Sequence, residues 1–530
     1  MCRLRIGLTL MLIAGIFLGG MPAGDSYGQV TQPERFEKEF KYADGVFSII
    51  SLKEEGLLLI RDKEKYEGGK KIWELLYLGP DLKERKSISL PMDGRNRLIG
   101  YAESPGEIVL LYRQGETEKN DLELIEVNFE NDDYPRHILK PELAMNFTHF
   151  VRVGDNVVLG GYVNKEPSVL VYELDSRGLK ILPGFFQKDT ELVNLDVNVN
   201  NTFNVVLVER SQRDERKVAF QTYDQSGKLL LEDLIAIDNK RTLQTGITSS
   251  LVREDLILAG TWGEGNAKQS NGFYAIPVDP FGDQKIQYVA FGELDHYLDY
   301  QRESRAKRIK QNTHDVIRNG GIPNYINYVM PYRLMEYDQG FLLFAEVYTP
   351  SSSFSDYSRP YNPYYYNPYY SPYGWYYPSY GRLYGRPYSH GYRSRNEEIK
   401  TYESVVVSFD HNGKVQWDRS LDLDEVRQNS MDQVADFHLV NDQVVFLYKD
   451  ESELKGKMIL LGEGEEDELI SEKIRLPNPD DEIRSEKENE GGVLHWYDNI
   501  FFVWGYHTVR NTTLEDRVRE VFYINKIEVN

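Results

Sequence analysis

Two stretches decide the fold: VRVGDNVVLGG at 151–161 and LVNDQVVFLYK at 439–449. In each, a strand-like segment meets a short turn of Gly, Asn and Asp and then a continuous apolar run. This is a β-hairpin pattern, because those residues accept the backbone angles that a tight turn between antiparallel strands demands. Outward from these two, the apolar run recurs along the chain: GLLLIRD (56–62), EIVLLYR (107–113), NVVLGGYV (156–163), FNVVLVER (203–210), DLILAGTW (255–262), GFLLFAEVY (340–348), QVVFLYKD (443–450) and NIFFVWGY (499–506). A strand, a turn and another strand follow each run, with turns near Pro80, Glu130, Asp175, Gln225, Asp279, His411, Gly464 and Asn525. The first five turns are about 45–55 residues apart, and the long step from Asp279 to His411 holds two insertions.

Four strands in a unit of that period predict an all-β chain folded as a β-propeller. A lone blade leaves both faces of its sheet bare, whereas blades stacked around an axis cover one another. Eight runs predict eight four-stranded blades, with seven as the alternative; a solenoid or a pair of β-sandwiches is the reading outside the propeller. The last unit lacks an outer strand. PERFEKEFKY (33–42) is placed to supply it, joining the ends of the ring and covering an open edge.

FDHNGKVQWD (409–418) and YDQSGKLLLED (223–233) carry an Asp-x-x-Gly-Lys turn. In this they resemble the repeats of PQQ-type and WD-like eight-bladed propellers. Asp410, Gly413, Lys414 and Trp417 match that pattern, and so do Asp224, Gly227 and Lys228, but Leu231 stands where the Trp would be. The resemblance implies the fold. The group includes quinone-dependent dehydrogenases, which use adjacent cysteines near the cofactor, and non-catalytic envelope scaffolds. The single cysteine of this chain is Cys2, so the resemblance does not extend to a quinoprotein.

The first 28 residues read as a secretory signal peptide: Arg3 and Arg5, an apolar run from Ile6 to Leu18, then small residues with Ser26 and Gly28 at the cleavage positions. The run is short for a membrane span, which needs about 20 apolar residues. Residues 29–530 are then one propeller domain without a thiol, secreted or periplasmic, which suits a bacterial cell envelope. The chain has 530 residues, 62 Lys and Arg against 84 Asp and Glu, and a net charge of −22. That acid excess argues against nucleic-acid binding. No cofactor and no membrane span beyond the leader are expected.

The two insertions break the strand pattern. Residues 294–327 lack a β-branched run and include Arg302, Arg305 and Arg308; one or two helices ending at Gly320-Gly321 are expected. An apolar stripe of Leu298, Arg305, Ile309, Val316 and Ile317 would seat them. Residues 350–398 are rich in Tyr, Pro and Arg, with 14 Tyr and six Pro between Tyr357 and Tyr392. Proline at that density prevents a ladder or a long helix, so a disordered, partly polyproline-like loop is expected. Tyr365, Tyr369, Trp375, Tyr376, Arg382 and Arg386 are its candidate binding residues, by stacking and cation–π contact with a protein or glycan or with another copy of the chain. The first insertion joins the outer strand of blade five to the inner strand of blade six, and the second lies between the second and third strands of blade six. Both connection types emerge on one face, so a single basic, Tyr-rich rim is expected.

Catalytic spacing is absent: no HExxH, GxSxG, P-loop or EF-hand sequence occurs. The acid runs EGEEDE (463–468) and PDDE (479–482) read as solvated turns, with loose Ca²⁺ association as the other reading, and LDLDE (421–425) as the start of a connection. His149, His438 and His495 fall in inner strands, where they would pack or face one another. The sequence favours a non-catalytic interaction scaffold over its alternative, a propeller enzyme acting on extracellular or envelope polysaccharide.

Overall fold

The computed structural model describes residues 30–530 apart from 42–43, 116, 118, 141–142, 186–188, 210–215, 250–255, 266–268, 279–283, 351–398, 429–431, 441, 462–466, 488–489 and 514–517. The expected signal peptide and the Tyr-rich segment lie outside the described residues.

The chain forms an eight-bladed β-propeller, each blade an antiparallel sheet, with strands in chain order in blades 1 to 7. The eight apolar runs are the second strands of the eight blades, from Leu57–Glu67 in blade 1 to Ile500–Asn511 in blade 8. They read as unbroken apolar runs because both faces are covered. In blade 2, Ile108 and Leu110 pack toward blade 1, while Val109 and Leu111 pack toward blade 3. Every neighbouring pair of blades shares such a cluster, including blade 8 with blade 1, where Phe502 and Ile524 meet Leu57 and Leu59. The cores therefore close into a ring.

Closure uses the N-terminal strand. Arg35–Glu39 pairs antiparallel with Val518–Val529, from Arg35↔Asn525 to Glu39↔Val521, and Val30–Thr31 continues the pairing. Asn525 is therefore inside a strand and not at a turn, as the sequence reading had it. Blade 8 takes its outer strand from the other end of the chain and has no turn to make there. Across the seam, the Trp496 indole N–H donates to the Gly56 carbonyl at 3.2 Å, and the Phe47 N–H donates to the Tyr506 hydroxyl at 2.7 Å.

The Asp-x-x-Gly-Lys turns have a common geometry. The Asp410 carboxylate accepts the N–H groups of Asn412 and Lys414, and Asp224 accepts those of Ser226 and Lys228. Gly413 and Gly227 both sit at φ 75°, where only glycine is unstrained. A Cβ on Gly413 would also lie 3.2 Å from the Ala275 side chain of blade 5. The motif fixes a turn and a close approach to the preceding blade.

Two further sequence expectations need correction. LDLDE does not begin a connection; it lies inside the strand Val415–Gln428. Asp481, from PDDE, is not a solvated acid: it is buried, accepts two bonds from Arg519, and also accepts from Asn511 at 2.7 Å. It opens an extra strand, Asp481–Glu486, which pairs with the far half of Ile500–Asn511.

Candidate functional site

The face that carries the insertions is built unevenly. In blade 6 the second, third and outer strands run 11, 11 and 14 residues. In blade 8 the second and third strands are 12 residues each. The corresponding strands of blade 7 have only 8, 8 and 6. Blades 6 and 8 thus rise as walls on either side of a low blade 7. Between them lies a groove of about 960 Å³, bounded by Leu423–Gln428 of blade 6, the turn after Tyr448 in blade 7, and Ile483–Glu486 of the extra strand with the following Lys487.

The groove is polar and balanced, lined by five acidic and five basic side chains. Lys400 and Arg427 each meet Glu425 at 2.7 Å, Lys455 pairs with Asp450, and Lys449 reaches across to Glu486. Hydrogen bonding to Lys400 holds the Glu425 carboxyl below its ordinary range. Asp424, Glu451 and Arg484 are exposed and form no ion pair among the described residues. Lys487 sits over the Phe40 ring at 3.8 Å, which ties the groove wall to the closing segment.

On the other flank of blade 6 stands the first insertion. It follows a 3-10 turn, Phe291–Glu293, and forms one helix, Glu303–Arg318, which ends at Asn319 with Gly320 at φ 74°. Its seat differs from the expected stripe. Leu294 and Leu298 enter the core before the helix begins, and Ala306, Ile309 and the buried Thr313 hold its inner side, while Arg305 and Ile317 are exposed. The Thr313 hydroxyl shares a 2.6 Å hydrogen bond with Tyr325, and Phe291 stacks on Tyr297 at 4.2 Å. Asp418 of blade 6 accepts the N–H groups of Asp295 and His296, both at 2.7 Å. Beneath it, burial drives the Glu403 carboxyl well above its usual range, and the acids Asp299, Asp418 and Asp422 act in the same direction. This insertion is firmly anchored, and what it presents outward is charge.

Arg302, Arg305 and Arg308 are exposed and form no ion pair among the described residues. Lys307 is paired with Glu303 and Arg318 with Asp315. Tyr365, Tyr369, Trp375, Tyr376, Arg382 and Arg386 lie outside the described residues, but the attachment points of their segment are fixed. Tyr328, where the chain enters blade 6 from the helix, pairs with Tyr348, two residues before the Tyr-rich segment leaves. At its return, Ile399 pairs with Pro350 and Gln428. Both insertions therefore attach at the same end of blade 6.

A second cluster joins the inner strands of blades 6, 7 and 8. Arg333 pairs with Asp436 at 3.0 Å, and the other Asp436 oxygen accepts the His495 N–H at 2.8 Å. The His438 and His495 rings stack at 4.0 Å with a 10° interplanar angle. Burial, then the neighbouring imidazole and Arg333, push His438 down to about 3; burial and Arg333 push His495 down to about 4. These imidazoles are neutral at physiological pH. His149, far around the ring in blade 3, is fully buried and does not join them. No group of three or more metal-ligating side chains occurs among the described residues.

The sequence reading missed the groove. Its signals were the run of alternating residues beyond Trp417, which lengthens the outer strand of blade 6, and the long link before His495 that holds the extra strand.

No protein-family model matches the chain, and no curated protein matches it in sequence. Among solved structures it is similar to the polysaccharide lyase Uly1, at 7% identity over 94% of this chain and all of that one, with a TM-score of 0.36. It is also similar to a prolyl endopeptidase, at 11% identity over 89% of this chain and 55% of that one, with a TM-score of 0.39. The Synechocystis apocarotenoid oxygenase shows 9% identity and a TM-score of 0.29; the match covers 44% of this chain, which spans about 61% of that protein's length. At such identities the likeness says nothing about chemistry.

Proposed function

We propose that this chain is a secreted or periplasmic, non-catalytic interaction scaffold that binds a protein or glycan partner through the face bearing both insertions. Cleavage after Gly28 would release residues 29–530 as one propeller domain. The observation that carries the reading is the set of three exposed arginines, without an ion pair among the described residues, on a rigidly seated helix whose attachment point adjoins that of the Tyr/Arg segment. On a body of net charge −22 such a patch acts locally, because charges more than ~10 Å away are screened at 0.1 M salt. It suits a partner that is acidic where it touches.

Polyglutamate and alginate, immobilised and titrated with the full chain at low salt, are suitable probes. Replacing Arg302, Arg305 and Arg308 together by Glu is expected to weaken capture about tenfold or more and to flatten its salt dependence. Unchanged capture, or none by the native chain, would remove the helix from the reading.

One observation favours a second reading, an enzyme acting on extracellular or envelope polysaccharide: Asp436, His438 and His495 converge from neighbouring inner strands. Against it, both Asp436 oxygens are occupied by Arg333 and a backbone N–H. Depolymerisation of a polyuronate that disappears when His438 and His495 become Ala would establish this second reading.

A further inference from the structure

We propose that the groove between blades 6 and 8 binds an extended peptide segment of a partner protein, which adds as a strand to the open edge of Asp481–Glu486. This names the partner class for the face described above and rests on that face being a binding surface, but it uses residues separate from the helix arginines.

The extra strand pairs on one side only, with Ile500–Asn511, and is the terminal strand of its sheet. Its other edge therefore offers backbone N–H and C=O groups with no ladder partner among the described residues. Ile483–Lys487 line the groove, so this strand belongs to its wall. The opposite wall is also a terminal strand, Val415–Gln428, which among the described residues pairs only with Ile399–Phe409. Two terminal strands lining one groove suit a polypeptide, whose main chain can pair with an open edge.

The lining chemistry narrows the choice. Pyranose rings are held by stacking on exposed aromatic faces. Among the described lining residues the one aromatic is Tyr448, and it is buried. A polyanion or polycation would meet as much repulsion as attraction, because acidic and basic side chains balance. The charges without an ion pair among the described residues are divided instead: Arg484 lies on the blade 8 side, and Asp424 and Glu451 on the side of blades 6 and 7. A strand presents alternate side chains to opposite sides, so a peptide of mixed charge can place acids toward Arg484 and bases toward Asp424 and Glu451.

The test follows from a local irregularity. The ladder shifts between Ile483 and Ser485, leaving Arg484 without a partner in Ile500–Asn511. Proline at 484 therefore removes an N–H without breaking a registered pair, and it blocks strand addition at the edge. The probe is a displayed library of random dodecapeptides, selected on the full-length chain. Selected peptides are expected to be of mixed charge and to slow amide exchange in 482–486. Their binding should weaken about tenfold or more in Arg484→Pro, and by much less in Arg484→Ala, which keeps the N–H.

Peptides that bind Arg484→Pro as well as the native chain would overturn the proposal, as would an exchange footprint elsewhere or a library that yields no binder. If Arg484→Pro does not fold, the exchange footprint on the native chain decides. The Arg302, Arg305 and Arg308 to Glu variant should keep its peptide binding. If it loses that binding, the helix is the peptide site and the groove is not, while the scaffold reading stands.

Discussion

Removing residues 30–41 is expected to unfold the ring rather than fray one end of it. The segment buries Val30, Phe36 and Phe40, and the last two join the cluster between blades 8 and 1 with Phe47, Trp504 and Phe522. Each buried side chain of that size contributes about 1.5–3 kcal/mol. Arg35 adds a bond to the Asn525 side chain at 2.7 Å and lies over the buried Tyr523 ring at 4.4 Å. Gln32 ties the segment to blade 7 through the Lys473 carbonyl and the Arg475 N–H, both at 2.8 Å. Together these amount to several kcal/mol, against a typical net stability of about 5–15 kcal/mol for a folded domain.

In a ring the loss spreads, because an open seam exposes the flanks of blades 8 and 1 and the free edge of Val518–Val529. The truncated chain should lose its cooperative urea transition or shift it far to lower urea. Phe36→Ala alone should cost about 3 kcal/mol. A synthetic peptide of residues 30–41 added in trans should restore part of the lost stability. A truncated chain that melts like the native one would mean the seam is held by blade-to-blade packing alone.

The closing strand was legible because its partner was missing: the last unit stopped one strand short, and a strand-like segment lay unused at the other end. The second strands were legible for the opposite reason. Buried on both faces, they read as near-continuous apolar runs, as in Val444–Leu447. Outer strands carry little such signal. Leu179–Ile181 is exposed throughout, and Glu468–Lys473 buries only Ile470. Nothing in their patterning fixes where they end, which is why LDLDE, inside the long outer strand of blade 6, reads as the start of a connection.

The helix arginines were legible because charge on a surface helix needs no tertiary knowledge. The groove was not, since it exists only as a difference in height between three neighbouring blades. Nor was Asp481, whose burial depends on Arg519 from a strand 38 residues away. An acid run gives no sign of which member will be paired and which solvated.

Glu346 is the acid on which the meeting of blades 6 and 7 depends, and its titration is expected to show in the stability of the whole chain. It is buried in the second strand of blade 6 and accepts the Val434 N–H at 3.0 Å and the Ala435 N–H at 2.8 Å, where the chain enters blade 7; Ser404 donates at 3.3 Å. Burial raises its carboxyl to about 8, and these hydrogen bonds offset only part of the desolvation.

The folded state thus holds a proton that the unfolded chain, near the ordinary glutamate value of about 4.3, releases earlier. The stabilisation from this group is complete below that value and is lost as pH rises through about 8. Glu346→Gln keeps an oxygen for both N–H groups and does not ionise. Measured by urea denaturation, the native chain should lose stability relative to this variant between pH 5 and pH 9. Other titrating groups are common to both proteins, so the difference isolates Glu346. Glu346→Leu should be destabilised by about 2–4 kcal/mol at pH 5, because it leaves two buried N–H groups without an acceptor. Parallel pH profiles for the native and Gln proteins would show that Glu346 is ionised in the fold, with the backbone N–H groups outweighing its burial.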